Sequence, residues 1–328
     1  MKPRILNQKL NLALLPTPIK KLEKLSEEYG FDLYVKEDDM THFLASGNKI
    51  RKLEYLLKNA KDEGADITFT CGGVQSNHCR ATAVLSKMLG MQPVLFLRGT
   101  EPDVFNGNLL VDKLIGSEIV YVTPEQYQNI DEIFQEYKEK YEAKGKKVYV
   151  IPEGGSNSIG ALGYMNAVFE MNEQTDLDEI DAICCALGSG GTVAGLVAGL
   201  VLLDKKCGVV GFNVTKTDRE KFLDKVFYLL NGMKNFEIDL KVENAKVEVI
   251  DDFSGPAYAV PTEEDLKLIK HVAETETMIL DPVYTSKALR GTIETFKNTG
   301  KKVLFIHTGG TFGLFAQAEG MTDVIKSY

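Results

Sequence analysis

Three apolar runs in this chain each stop at a cluster of small residues. Residues 66–71 lead into Gly72-Gly73, residues 182–187 into Gly188-Ser189-Gly190-Gly191-Thr192, and residues 302–307 into Thr308-Gly309-Gly310-Thr311. A run of about six apolar residues bounded by glycine reads as a strand buried on both faces, and helical patterns separate these runs. Strands that alternate with helices through short loops predict an α/β architecture of open, twisted, mostly parallel sheets flanked by helices. In such sheets ligands collect at the loops that follow the strands. The three glycine-rich loops are therefore where chemistry is expected.

Along the chain, the pattern predicts a helix over 20–29 closed by Gly30, a strand over 31–36, and a helix beginning near Lys49. Helices over 79–89 and 106–116 alternate with strands over 93–97, 119–122 and 148–151, and one long charged helix is expected over 124–145. Residues 153–160 read as a hinge or crossing between lobes. Helices over 164–172 and 193–202 and a strand over 209–214 continue the alternation. Residues 216–244 are expected to be mostly helical, and 246–250 a short strand. Two helices follow, over 263–276 and 286–298, before the last strand.

Composition removes several classes of function. A formal charge of −9 without a dense Lys/Arg block disfavours nucleic acid as a partner. The apolar stretch over 5–15 is interrupted by Asn7, Gln8, Lys9 and Asn11, so neither a signal-peptide core nor a spanning helix is expected, and no membrane partner. Cysteines at 71, 79, 184, 185 and 207 show no paired spacing, which points to reduced thiols in the cytoplasm. The four histidines lie far apart, and no metal is expected.

The stretch Ser46-Gly47-Asn48-Lys49-Ile50-Arg51-Lys52-Leu53-Glu54 passes from turn-forming residues into a helical pattern, placing Lys49 at a loop-to-helix junction. The positive end of a helix lowers an amine's pKa, and a free amine there can form an imine with a carbonyl compound. The plainer alternative is one more solvated lysine. Gly188 to Thr192 lets consecutive N–H groups converge on an anion ahead of a helix, as a phosphate cradle, or it is a tight turn packing helix on sheet. Ser76-Asn77 is a helix cap or a small carboxylate site.

Together the motifs Lys36-Glu37-Asp38-Asp39, Gly47 to Glu54, Gly72-Gly73-Val74-Gln75-Ser76-Asn77-His78, Gly188 to Thr192, Asp281-Pro282-Val283-Tyr284-Thr285 and His307-Thr308-Gly309-Gly310 resemble the fold-type-II pyridoxal phosphate enzymes. Within them, the likeness is to the D-cysteine desulfhydrase and 1-aminocyclopropane-1-carboxylate deaminase group. The resemblance implies a tryptophan synthase β-like fold, with a small lobe, residues 54–164, inserted between the two parts of a large one, residues 1–53 and 165–328. It implies that Lys49 binds pyridoxal 5'-phosphate covalently and removes the Cα proton, that Asn77 meets the ring hydroxyl, and that Gly188, Ser189, Gly190, Gly191 and Thr192 hold the phosphate. Ser76, Asn77, His78 and Gly155 would receive the substrate, Ser76 could also move a proton, and Tyr284 and Tyr258 would be active-site tyrosines. A homodimer is expected from the same resemblance.

Position 285 separates activities within the group. The deaminases are expected to carry a glutamate there, which keeps the pyridine nitrogen protonated; this chain has the neutral Thr285 as its cofactor contact. That favours β-elimination, with D-cysteine giving pyruvate, hydrogen sulfide and ammonia. A deaminase of the cyclopropane acid, an L-cysteate sulfo-lyase, a D-serine-type dehydratase and a non-catalytic ligand-binding protein are the alternatives. Phe43-Leu44-Ala45-Ser46 stands where the group shows glycines, and its bulk is expected beside the cofactor.

Overall fold

The computed structural model describes residues 2–327. The first strand, β1 (Ile19–Lys21), is followed by α1 (Glu23–Tyr29), which ends at Gly30 in the left-handed conformation, and by β2 (Asp32–Lys36). The helix expected over 20–29 is therefore shorter: Lys20 and Lys21 pair with Val35 and Tyr34, so their backbone groups are spent on the sheet. Next come α2 (Lys49–Asp62), β3 (Ile67–Gly73), α3 (Asn77–Met88), β4 (Gln92–Arg98), α4 (Gly107–Leu114) and β5 (Glu118–Val122). The long helix expected over 124–145 is two, α5 (Pro124–Gln128) and α6 (Ile130–Glu142). Thr123 starts the first with a capping box and Pro124 at its first position, and Asn129 leaves helical geometry between them.

After β6 (Val148–Val150), residues 153–155 form one short turn. Then α7 (Ser158–Gln174) begins six residues before the expected start, because Asn157 caps it by accepting from Gly160 N at 2.8 Å. The chain continues with β7 (Ala182–Leu187), α8 (Gly191–Leu202), β8 (Gly208–Asn213), α9 (Arg219–Asn231), β9 (Val247–Ile250), α10 (Glu263–Glu276), α11 (Thr285–Phe296) and β10 (Lys302–Ile306). Two closing helices, α12 (Thr311–Phe315) and α13 (Ala318–Ser327), were not expected from the pattern.

The strands form two sheets. One has the order β1-β2-β10-β7-β8-β9, antiparallel only between β1 and β2; the other, β5-β4-β3-β6, is wholly parallel. Parallel strands send all their C-terminal loops to one edge, which concentrates the glycine-rich loops. Helices α2, α7 and α8 pack closely through small residues. A Cβ on Gly163 would lie 2.3 Å from Arg51 O, and one on Gly195 2.3 Å from Ala161 O, so these backbones approach only because no side chain intervenes.

A buried polar network fixes α2. Arg51 donates to both oxygens of Asp38 at 2.7 and 2.8 Å and to both of Glu170 on α7 at 2.9 Å. Lys36 reaches Glu170 at 2.6 Å, and Tyr164 donates to Asp38 at 2.5 Å. Burial pushes the Asp38 carboxyl up, but the Arg51 guanidinium outweighs it and holds the group below its ordinary range. Removing one partner of such a network leaves a buried charge unpaired, so Arg51→Met is expected to cost about 3–5 kcal/mol of unfolding free energy at neutral pH. In the native chain the depressed Asp38 contributes stability above its unfolded pKa, lost as pH falls through the folded value. The gap between variant and parent should therefore narrow on acidification. Urea unfolding at pH 7 and pH 4 measures both; a gap below about 1 kcal/mol at pH 7 would remove the network from this role.

Candidate active site

The loop before α2 is locked against the loop after β10. Gly47 has φ +108°, and a Cβ there would lie 2.5 Å from Thr308 O. Asn48 N donates to that same carbonyl at 3.1 Å, and Thr41 Oγ1 bonds both Gly47 N and Gly47 O at 3.0 Å. Asn48 Nδ2 donates to Thr192 Oγ1 at 3.0 Å, tying the same turn to the start of α8. Lys49, the first residue of α2, thus stands where the loops after β7 and β10 meet.

It opens into a cavity of about 360 Å³. The Lys49 amine has no hydrogen-bond or ion-pair partner among the described residues. Burial pushes its pKa down to about 8, against the pull of Glu153. Sequence reasoning credited the helix field; the larger cause is removal from water.

Gly188, Ser189, Gly190 and Thr192 line the cavity. Gly190 adopts the left-handed conformation and α8 begins after it with no side-chain cap. Thr192 and Val193 therefore bring uncapped first-turn N–H groups to the lining. Thr192 Oγ1 already accepts from Asn48, which leaves its proton to donate. Gly191 does not line the cavity. Its N–H donates to Ser156 Oγ at 3.3 Å, and a Cβ there would meet Ser156 Oγ at 2.7 Å and Lys52 Nζ at 3.1 Å, so it closes the loop from behind. Lys52 donates to Gly154 O and Ser156 Oγ, both at 3.2 Å, and burial together with the Lys49 cation pushes its pKa well down.

Ser76, Asn77 and His78 line the side facing the four-stranded sheet. Ser76 Oγ caps α3, accepting from Cys79 N at 3.2 Å, and also faces the cavity, so the cap and the site coexist. Asn77 Oδ1 accepts from Asn108 Nδ2 at 2.9 Å, which leaves its own amide protons for the cavity. Burial and the two nearby lysines push His78 well below its ordinary pKa, so it is neutral. Tyr258 and Tyr284 line the cavity with their hydroxyls hydrogen-bonded to each other. A Cβ on Gly188 would lie 3.3 Å from the Tyr284 ring, so the glycine lets the loop pack closely against the tyrosine.

Besides Gly191, three further expected contacts fall elsewhere. Thr285 is buried outside the lining: its hydroxyl donates to Asp281 Oδ1 at 2.7 Å and accepts from Asp281 N at 2.6 Å, and Thr308 reaches the cavity instead. Gly155 sits behind the wall against Lys52, Leu56 and His78, and Gly154 forms the surface. None of residues 43–46 lines the cavity: Phe43 is 83% exposed and turns outward, whereas Leu44 and Ala45 pack into the core beside α2 and Ser46 is buried. Sequence reasoning also missed Arg98, Tyr127, Glu153, Lys216 and Thr308 in the lining. Arg98 ends β4 and Lys216 follows β8, so the strand-end rule could have found both; Tyr127 on α5 carries no such mark.

An unpaired amine, an uncapped helix start behind a glycine loop, and amide and hydroxyl donors opposite suit an aldehyde that bears a phosphate and a polar ring. The comparisons agree. A family model described as pyridoxal-phosphate dependent enzyme matches residues 10–309. A Thermotoga maritima protein with the provisional name of a 1-aminocyclopropane-1-carboxylate deaminase is 57% identical, over 94% of this chain and 98% of its own. A mitochondrial bifunctional D-cysteine desulfhydrase/1-aminocyclopropane-1-carboxylate deaminase of Arabidopsis thaliana is 40% identical over 97% and 82%. A crystal structure described as that of an ACC deaminase homologue superposes with a TM-score of 0.90 at 37% identity, covering 99% of this chain and all of the other. The chain belongs to the pyridoxal-phosphate dependent enzymes of fold type II, and pyridoxal phosphate is its cofactor.

At pH 8 a buried amine with a pKa of about 8 is half neutral where an ordinary lysine is almost wholly charged. In cofactor-free protein, reductive methylation of Lys49 by formaldehyde is expected to reach half its maximal rate near pH 8, read by peptide mass spectrometry. A midpoint near that of the surface lysines would contradict the burial account.

Proposed function

We propose that this chain catalyses β-elimination on a small β-substituted amino acid, with D-cysteine favoured and pyruvate, hydrogen sulfide and ammonia as products. The observation that carries this reading is the scarcity of acid around the cavity. Among the described residues Glu153 is the only carboxylate in the lining, it follows β6 in the four-stranded sheet, and it accepts from the Tyr127 hydroxyl at 2.7 Å. A pyridine nitrogen among neutral groups is a weaker electron sink. That suffices when a good leaving group departs from Cβ and serves poorly for opening a cyclopropane ring.

When bound, pyridoxal phosphate supplies the sink for the electron pair released at Cα. Lys49 would hold the cofactor covalently, and its amine, when free, would take the Cα proton of the substrate. Ser76 and Asn77, with the N–H groups at the start of α3, receive the substrate carboxylate. The loop over 188–192 holds the phosphate, with Lys52 bracing it from below. Burial raises the pKa of both Tyr258 and Tyr284, so both keep their protons at neutral pH, and the pair can deliver one to departing sulfur. A cytoplasmic homodimer, with the lobe over 54–164 inserted between 1–53 and 165–328, completes the proposal.

Deamination of 1-aminocyclopropane-1-carboxylate is the second reading, supported by the name of the 57% identical relative. Pyruvate release from D-cysteine is expected to exceed that from L-cysteine, L-cysteate and D-serine, and 2-oxobutyrate release from the cyclopropane acid to be slower by at least about tenfold. Faster 2-oxobutyrate release would select the second reading. Lys49→Ala is expected to lose both the visible absorption band of the bound cofactor and turnover; a variant that keeps the band would displace Lys49 from its role.

A further inference from the structure

The two tyrosines of the cavity are held by unequal means. Tyr284 stands just before α11, and the Asp281 carboxylate fixes it by accepting from Val283 N at 2.9 Å, Tyr284 N at 3.0 Å and Thr285 N at 2.7 Å. Tyr258 lies on the irregular stretch between β9 and α10, where Pro256, Ala257 and Val260 are exposed. Its neighbour Ala259 has φ +61°, a conformation that an L-residue keeps only where its surroundings impose it. A loop tip of this kind does not by itself hold a hydroxyl in place.

Lys287 supplies the hold. It is fully buried on α11, three positions after Tyr284, and does not line the cavity. Its amine donates to Ser254 O at 2.7 Å and to Val260 O at 2.9 Å, the carbonyls on either side of Tyr258. Val260 N donates back to Ala257 O at 3.2 Å, so residues 254–260 close around Nζ. Gly255 has φ +73°, and a Cβ there would lie 2.8 Å from Val260 O and 3.0 Å from Lys287 Nζ. No carboxylate accepts from Lys287 among the described residues, so a cation taken out of water is spent on two neutral carbonyls. An apolar side chain would fill the same space; what the amine adds is the placement of the loop.

We infer that Lys287 is a positioning residue for protonation of the leaving group: it sets the Tyr258 hydroxyl against that of Tyr284, so one turn of α11 places both phenols. The inference rests on the β-elimination reading and on the tyrosine pair as the proton source. In that step the Cα proton passes to Lys49, and the Cβ–S bond breaks with its electron pair on sulfur. The tyrosine pair gives the proton that releases hydrogen sulfide instead of hydrosulfide, and water returns a proton to the phenol. A hydroxyl displaced by about 1 Å loses much of such a transfer.

The test uses holoenzyme of the parent, Lys287→Met, Gly255→Ala, Tyr258→Phe and the Lys287→Met/Tyr258→Phe double variant. For each, kcat for D-cysteine is divided by kcat for β-chloro-D-alanine, whose chloride leaves without a proton. This ratio is expected to fall at least about tenfold in Lys287→Met and in Tyr258→Phe, and the double variant to lose no more than Tyr258→Phe alone. Gly255→Ala disturbs the same closure from the loop side and should lower the ratio too, which carries the comparison where Lys287→Met does not fold. Equal losses with both substrates would mark a purely structural lysine and overturn the inference, as would additive losses in the double variant. A Tyr258→Phe ratio within about twofold of the parent also overturns it, since the tyrosine pair is then not the proton source. If D-cysteine yields no pyruvate in the parent, the elimination reading fails, and hydrogen exchange read by mass spectrometry still decides the hold. Amides over 254–260 should then exchange at least about tenfold faster in Lys287→Met, with those of β7 unchanged; equal rates over 254–260 overturn the inference.

Discussion

Three cations share one helical turn, and the active site depends on how each is buried. Lys49, Arg51 and Lys52 open α2, and a helix rotates successive side chains by about 100°, so they leave in different directions. Arg51 points to Asp38 and Glu170, which repay its desolvation with four charged hydrogen bonds. Lys52 points beneath the glycine loop to a carbonyl and a hydroxyl, both neutral. Lys49 points into the cavity and meets nothing. The paired cation anchors the turn, and that anchorage lets the other two stay buried without a carboxylate, each with its pKa pushed down.

The same turn joins the parts of the site. Gly47 and Asn48 bind it to Thr308 after β10, and Asn48 binds it to Thr192 at the start of α8. Lys52 reaches the Gly154 carbonyl after β6. Contacts from both sheets therefore converge on the six residues from Gly47 to Lys52. Parallel topology makes this possible, because the C-terminal edge of each sheet presents its loops together, and glycine lets their backbones come within contact of one another.

Much of this was legible because the signals are local. A buried parallel strand is a short apolar run, and a loop that must approach another backbone is written in glycine, so β3, β7, β10 and the loops after them stand out in the sequence. The helix over 263–276 was readable to the residue because Thr262 and Asp265 form a capping box. What was hidden is tertiary. Strand β1 is three residues, two of them lysines, and exists only through pairing with β2. The break at Asn129 has no glycine or proline to announce it. Gly154 and Gly155 both have positive φ, and only the packing of Lys52 and Leu56 decides which one faces the cavity. Thr285 was expected as a cofactor contact from its place after Tyr284 in the family-like motif, but Asp281, four residues earlier in the same turn, captures its hydroxyl. Arg98 and Tyr127 lie 29 positions apart, and the guanidinium stack that brings them together has no sequence pattern.

Burial also decides the direction in which protons can move. Removal from water favours the neutral form of every ionisable group, so it shifts acids and bases to opposite sides of neutral pH. The Lys49 amine falls to about 8 and can shed its proton near physiological pH, whereas the Tyr258 and Tyr284 hydroxyls rise and keep theirs. One cavity therefore prepares a base at one position and a proton donor at another without a carboxylate for either. An acidic residue beside the lysine would pair with the ammonium and raise its pKa again. The scarcity of carboxylates in the lining and the readiness of Lys49 to act as a base are thus two consequences of the same choice of side chains.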